Sequence, residues 1–167
     1  EKEKINFKQD QVALKTLQNS VTATGTIEAV TSVTVGTQVS GIVNKLYVDY
    51  NTQVKKGQVI AELDKTNLMS ELNIAKANLA SAQSTLKYQT ANMERYQTLF
   101  KKGLVSADEY ESALLTYRQA KEEVASSRES VQRAQTNLGY ATITSPIDGT
   151  VISKSVEAGQ TVAASFN

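Results

Sequence analysis

Between Lys65 and Leu138 the chain contains no proline and a single glycine, Gly103, and it is dominated by Ala, Leu, Gln, Glu and Lys, residues that cost little in a helix. Within this stretch, positions 68, 72, 75, 79, 82, 86, 89, 93, 96 and 100 advance by alternating fours and threes and hold Leu, Leu, Ala, Leu, Ala, Leu, Gln, Met, Tyr and Phe. A seam kept at a period of 3.5 residues over that length is the mark of coiled-coil packing, and only Gln89 interrupts it. The pattern returns at 110, 113, 117, 120, 124, 127, 131, 134 and 138, which hold Tyr, Ala, Tyr, Ala, Val, Ser, Val, Ala and Leu, with Ser127 the polar exception. A seam that long must be covered by another of equal length, and the second segment supplies it.

The two segments are joined by Lys101-Lys102-Gly103-Leu104-Val105-Ser106. Gly103 can take the left-handed conformation that ends a helix, and Ser106 with Glu109 has the spacing of a capping box that starts the next. So short a link forces the helices antiparallel. Folding the sequence about position 105 sets Phe100 near Tyr110, Met93 near Tyr117, Leu86 near Val124 and Leu72 near Leu138. Each arm of about 36 residues is about 54 Å long at 1.5 Å per residue, so the hairpin projects from whatever it is attached to.

The flanks read differently. Residues 12–64 are rich in Val, Thr and Ile with glycines at intervals, and runs such as Ser32-Val33-Thr34-Val35 and Ile42 to Val48 alternate as strands do. Gly139 ends the helical stretch, and strand signals return from Tyr140 to Ala164, with Ser145-Pro146-Ile147-Asp148-Gly149 as a turn. The order is β, α, β. The two β segments resemble each other: Ser40-Gly41-Ile42-Val43 parallels Asp148-Gly149-Thr150-Val151, and Gly57-Gln58-Val59-Ile60-Ala61 parallels Gly159-Gln160-Thr161-Val162-Ala163. Two half-motifs, neither able to bury its own face, pair most simply into one small β-sandwich interrupted by the hairpin. The predicted class is therefore α+β, with the hairpin at 65–139, the sandwich halves at 31–64 and 140–167, and a separate strand region at 1–30.

Composition removes most chemistry. The chain has no His and no Cys, which excludes Ser-His-Asp and Cys-His catalysis, imidazole or thiolate metal sites, and disulfides. Carboxylate pairs such as Glu122-Glu123 and Asp108-Glu109 are adjacent in helices and point apart, and no glycine-rich phosphate loop occurs. An enzyme is not expected, nor a cofactor or metal. With 18 basic and 17 acidic side chains there is no field of the kind that recruits nucleic acid. No window holds the roughly 18 apolar residues needed to span a bilayer. The chain opens at Glu1 and stops at Asn167 after a strand-like run, which reads as a segment of a longer protein.

The half-motifs, a Gly-x-Val followed by a turn and Gly-Gln-x-hydrophobic-Ala, resemble the halves of a lipoyl or biotinyl carrier domain. A coiled-coil hairpin inserted between such halves resembles the periplasmic adaptor proteins, or membrane fusion proteins, of Gram-negative tripartite efflux pumps. Within that family Val35-Gly36-Thr37-Gln38-Val39-Ser40-Gly41, Asn137-Leu138-Gly139-Tyr140 and Gly159-Gln160-Thr161-Val162 are most similar to the macrolide-type adaptors that serve an ABC transporter. The resemblance implies a split lipoyl-like sandwich, with Val21 to Ile27 as the first strand of an incomplete β-barrel whose remainder lies beyond Asn167. It also implies a periplasmic protein anchored to the inner membrane by an element absent from this chain.

The resemblance further implies partners and sites. The family carries at its hairpin tip an Arg, a Leu four residues on and a Ser seven beyond that, which dock on a TolC-like outer-membrane channel; here these are Arg95, Leu99 and Ser106. Each alone also reads as a solvated helix Arg, a flank of the seam and an N-cap; together at the tip they read as a docking site. Lys101 and Lys102 either complement acidic groups on the channel or offset the helix dipole. Copies would assemble as a ring of six above an inner-membrane ABC transporter, or an RND pump in the alternative reading. The loop from Val156 to Gln160, with Glu157, Ala158 and Gln160, either lines the ring's lumen or is an ordinary surface loop. Lys65, in Glu62-Leu63-Asp64-Lys65-Thr66, stands where a carrier domain bears its modified lysine, but it opens a helix rather than sitting on a tight turn. It is not expected to be lipoylated; Asp64 reads as a helix cap, with Glu62 and Lys65 solvated. The remaining alternative is a structural coiled-coil protein that only oligomerises.

Overall fold

The computed structural model describes residues 3–164, so the ends of the expected strand region and of the second sandwich half lie outside the described residues. The chain divides into two units, residues 1–33 and 34–167. In the first, no strand or helix forms among the described residues and every side chain is exposed. The strand expected over Val21 to Ile27 is thus not formed. A lone strand gains no ladder hydrogen bonds, and alternation alone does not hold it extended.

The second unit has the order β1 (Gly41–Leu46), β2 (Gln53–Val54), β3 (Val59–Leu63), α1 (Thr66–Lys101), α2 (Ala107–Tyr140), β4 (Thr142–Thr144), β5 (Gly149–Thr150) and β6 (Thr161–Val162). It is an α+β arrangement in which the strands fall on both sides of the helices in sequence yet share sheets. One sheet runs β4-β3-β1-β6 and the other pairs β2 with β5, every pairing antiparallel.

The helices lie along each other on the seam. Leu72, Ala82, Ala113, Ala120, Val124 and Ser127 are buried, and every other seam position is half-buried except Phe100. Phe100 gains its contact by stacking on Tyr110, ring centroids 5.2 Å apart and planes 8° from parallel, a geometry that adds to area burial. At the other end the chain enters α1 from β3 and leaves α2 into β4, and the two feet are joined where the Leu63 N–H donates to the Ala141 carbonyl at 2.8 Å. Gly139 does not end the second helix, which runs one residue further to Tyr140 and caps at Ala141. With helical backbone at Gly139, the Ala141 N–H still reaches the Leu138 carbonyl at 3.3 Å.

The core is small and sits at this junction: Val43, Leu63 and Ala141 are buried, with Val39, Leu68, Ile143 and Val162 packed against them. Four of the secondary elements, α1, β1, β3 and β4, meet there with β6, so sheet and helices stabilise each other. Leu63→Ala, at a side chain 1% exposed, is expected to cost about 3 kcal/mol. Leu104→Ala, at a side chain 67% exposed, is expected to change stability by no more than about 0.5 kcal/mol. Denaturant unfolding of the two variants measures the contrast.

The internal repeat appears as two matching turns. In Lys55-Lys56-Gly57-Gln58 and Glu157-Ala158-Gly159-Gln160 the glycine takes a positive φ, 82° and 87°. In each, the glutamine side-chain oxygen accepts from the backbone N–H three residues earlier, at 3.0 and 3.1 Å. The turns dock reciprocally: Gly57 N–H donates to Ser145 O at 2.8 Å and Ser145 N–H to Gln58 O at 2.9 Å, while Gly159 N–H donates to Val43 O at 2.8 Å and Val43 N–H to Gln160 O at 2.9 Å. The equivalent of Val43 in this exchange is therefore Ser145. The stretch Gly149 to Val151, which the sequence matches to Gly41 to Val43, lies instead on the β2-β5 sheet.

Candidate functional site

The turn between the helices is built by two backbone devices. At the end of α1, Gly103 adopts φ 71°, its N–H donates to the Phe100 carbonyl at 2.9 Å and the Leu104 N–H to the Leu99 carbonyl at 3.0 Å. This is a Schellman closure, which satisfies carbonyls that a helix end leaves unpaired. At the start of α2, Ser106 caps through a full capping box. The Glu109 N–H donates to Ser106 Oγ at 3.2 Å, and Glu109 Oε2 accepts from the Ser106 N–H at 2.8 Å and from its hydroxyl at 2.9 Å.

These bonds fix what the tip presents. Arg95 is exposed, with no carboxylate within 4.0 Å among the described residues, and Leu99 is half-buried four residues further along the same face. Lys101 and Lys102 are exposed at the helix end, Lys101 in the last turn where a cation offsets the dipole. The Ser106 hydroxyl spends its proton on Glu109, so toward a partner it can only accept. Leu104 is not among the tip residues that the family resemblance implied, although it follows Gly103 directly, where a Schellman closure places an apolar residue. Here it stands 67% exposed in the turn.

The loop from Val156 to Gln160 is pinned rather than loose. Gln160 folds back into its own turn, and Lys154 Nζ bridges Glu157 Oε1 at 3.0 Å and Asp49 Oδ1 at 3.4 Å. The Lys154 side chain is 15% exposed and lies over the Tyr50 ring, whose hydroxyl donates to the Lys154 carbonyl at 3.1 Å. Its ammonium pKa is raised, by the Glu157 hydrogen bond first. Glu157 and Ala158 remain exposed. Lys154 carried no sequence signal; its partners converge from both halves only after folding.

Glu62 and Lys65, expected to be solvated, instead form an ion pair at 3.0 Å and are half-buried. The Tyr47 hydroxyl donates to the second oxygen of Glu62 at 2.9 Å, and the two hydrogen bonds, Lys65 first, hold the Glu62 carboxyl below its usual value. The strand register that brings Tyr47 beside Glu62 is what the sequence did not display. Asp64 accepts from the Thr66 N–H at 2.9 Å and hydroxyl at 2.7 Å, while the formal cap position falls on Lys65, which makes no side-chain capping bond. Among the described residues no group of three or more Asp or Glu is placed to hold a metal ion, and no helix is long and apolar enough to cross a membrane.

Two long helices inserted between strands that share a sheet, with a self-capped polar turn at the far end, define a structural projection on a β base rather than a pocket for chemistry. Over residues 31–166 the chain matches the family described as RND MFP, barrel-sandwich hybrid domain, and it belongs to these membrane fusion proteins. They are adaptors and not enzymes. The chain is 35% identical over 143 residues to the multidrug resistance protein MdtA of Proteus mirabilis, covering 86% of this chain and 35% of that protein. It is 33% identical to the macrolide export protein MacA of Yersinia pestis, covering 96% of this chain and 47% of that protein. A crystal structure of MacA from Actinobacillus actinomycetemcomitans superposes with a TM-score of 0.59 at 40% identity, over 83% of this chain and 47% of that one. The chain thus spans well under half to about half the length of these relatives.

The cap generates a prediction. Ser106→Ala is expected to cost about 1 kcal/mol. The Glu109 carboxyl is held below its usual value by the Ser106 N–H first and the hydroxyl second. A folded-state value lowered in this way stabilises fully above the unfolded value and is lost as pH falls through the folded one. Glu109→Gln should therefore be less stable than the parent at neutral pH, with the difference vanishing in acid; thermal unfolding across pH 7 to 3 checks it.

Proposed function

We propose that this chain is the projecting part of a periplasmic adaptor, and that its helical hairpin carries the docking tip for a TolC-like outer-membrane channel. The split β base corresponds to a lipoyl-like domain in two halves, 31–64 and 140–167, with the hairpin at 65–139 between them and residues 1–30 contributing to a barrel completed elsewhere. The protein is anchored to the inner membrane of a Gram-negative bacterium and acts by linking and transmitting motion.

The observation that carries this reading is the tip itself. Its backbone is closed internally at both helix ends, so Arg95, the Leu99 edge, Lys101, Lys102 and Leu104 are left to meet something outside the chain. Arg95 reaches carbonyls or carboxylates on the channel, Leu99 adds an apolar contact, and the Ser106 oxygen accepts one hydrogen bond. A ring of six copies would bring six such tips together, with the Glu157 and Ala158 edge of the pinned loop lining the lumen at the base.

The inner-membrane partner in this reading is an ABC exporter of the macrolide type, supported by the similarity to MacA in both sequence and structure. An RND pump is the second reading, favoured by the family's description and by the similarity to MdtA at comparable identity. A purely structural coiled-coil role is the contrast that the tip tests.

Because the chain has no cysteine, single cysteines report contacts cleanly. In the full-length protein, Leu99→Cys and Ser106→Cys are expected to cross-link to an outer-membrane channel in intact cells, while Lys87→Cys, in mid-hairpin, is not. Leu99→Asp is expected to abolish export with the helical circular dichroism signal retained. Self-cross-links alone from both tip positions would overturn the docking reading in favour of the structural one.

A further inference from the structure

The two flanks of the helical pair differ in charge. One carries Lys76 and Lys87 from α1 with Arg118, Lys121 and Arg128 from α2, all exposed, at heptad positions on the same side of the seam. The other opens into a groove of about 380 Å³ in mid-pair, whose rim includes Asn78, Ser81, Thr85, Glu123, Ser126 and Ser130. The groove exists because the seam is narrow there, with Ala82, Ala120 and Ser127 at its floor.

Two observations show that the groove is unfilled in the single chain. Ser127 is 7% exposed and lines the groove; no sealed side-chain oxygen is left without a partner among the described residues, so its hydroxyl, which makes no bond within the chain, opens into the slot where a donor from outside can reach it. Glu123 has no cation within 4.0 Å among the described residues. Carboxylate, hydroxyl and carboxamide oxygens around one slot suit a planar donor with several N–H groups, which is a guanidinium.

We propose that the occupant is Arg128 of a second copy of this chain, seated beside Glu123 and within reach of the Ser127 hydroxyl. This rests on the ring reading above and specifies how neighbouring hairpins meet in it. Arg128 follows Ser127 in sequence and so lies at the height of the groove, but on the opposite flank. Copies related by rotation about an axis parallel to their helical pairs stay at the same height. The cationic flank of one then meets the groove of the next, a heterologous contact that closes into a ring. A two-fold contact between cationic flanks would set like charges together, so charge complementarity selects the head-to-tail arrangement.

The test uses the full-length protein and charge reversal at two exposed positions. Sedimentation should show self-association of the parent, weakened about tenfold in E123R and likewise in R128E, where like charges face each other at every junction. An equimolar mixture of the two variants matches every junction again and should associate within about threefold of the parent; recovery also shows that each variant is folded. Association of E123R and R128E equal to the parent, or no recovery on mixing, overturns this contact while leaving the ring reading in place. A parent that stays monomeric at all concentrations overturns both.

Discussion

The hydrogen bond from Leu63 to Ala141 closes the structure. It joins the strand that enters the helical pair to the residue that leaves it, and so turns two β segments separated by two long helices into neighbours. Without that closure the hairpin would be a long excursion with free ends, and the loop-closure cost of bringing β4 onto β3 would be offset only by a few short strands. With it, the seam does the work of closure: every seam contact draws the feet together, and Val43, Leu63 and Ala141 bury one another as a result. The sheet is therefore stabilised by the helices as much as by its own ladders, several of which are only two residues long.

The reciprocal turns show how little local structure the base needs. Each turn is held by one glycine and one glutamine, and each is received by the other half of the chain. A half alone leaves the N–H groups of its glycine and of Val43 or Ser145 without partners, and such groups are costly when buried. The halves are mutually required, which explains why an insertion of two long helices between them is tolerated. Nothing in either turn needs the connection between halves to be short, only that its ends be near.

Legibility in the sequence followed the range of the forces involved. The seam, the Gly103 closure and the Ser106-Glu109 box depend on residues three to five apart, and the spacing displays them directly. Long-range pairings did not show: Tyr47 with Glu62 depends on strand register, and Lys154 meets Asp49 only across the two halves. Ser145 rather than Val151 answers to Val43, because which strand edge is free is decided by the whole sheet and not by a local Gly-x-Val. Val21 to Ile27 has the alternation of a strand, and alternation reports a face to be covered without supplying what covers it. At the tip, the family resemblance singled out Arg95, Leu99 and Ser106 and passed over Leu104, whose exposure depends on the three-dimensional course of the turn.

The distribution of hydrogen-bond capacity separates the parts of the helical pair that are complete from those that are not. At the tip the Gly103 and Leu104 N–H groups close the first helix, and the Ser106–Glu109 box caps the second with the Ser106 hydroxyl donating to Glu109, so no cap has to break for a partner to dock. Such preorganisation lowers the ordering cost of association. In mid-pair the arrangement differs: the seam shrinks to alanine and serine, the Ser127 hydroxyl opens into the slot, and Glu123 stands without a cation beside it. A coiled coil selected only for its own stability would fill that position with a larger apolar residue, since a void in the seam costs stability. Keeping small polar residues there is consistent with a contact completed by another chain, and the charge on the far flank at the same height says which chain can complete it.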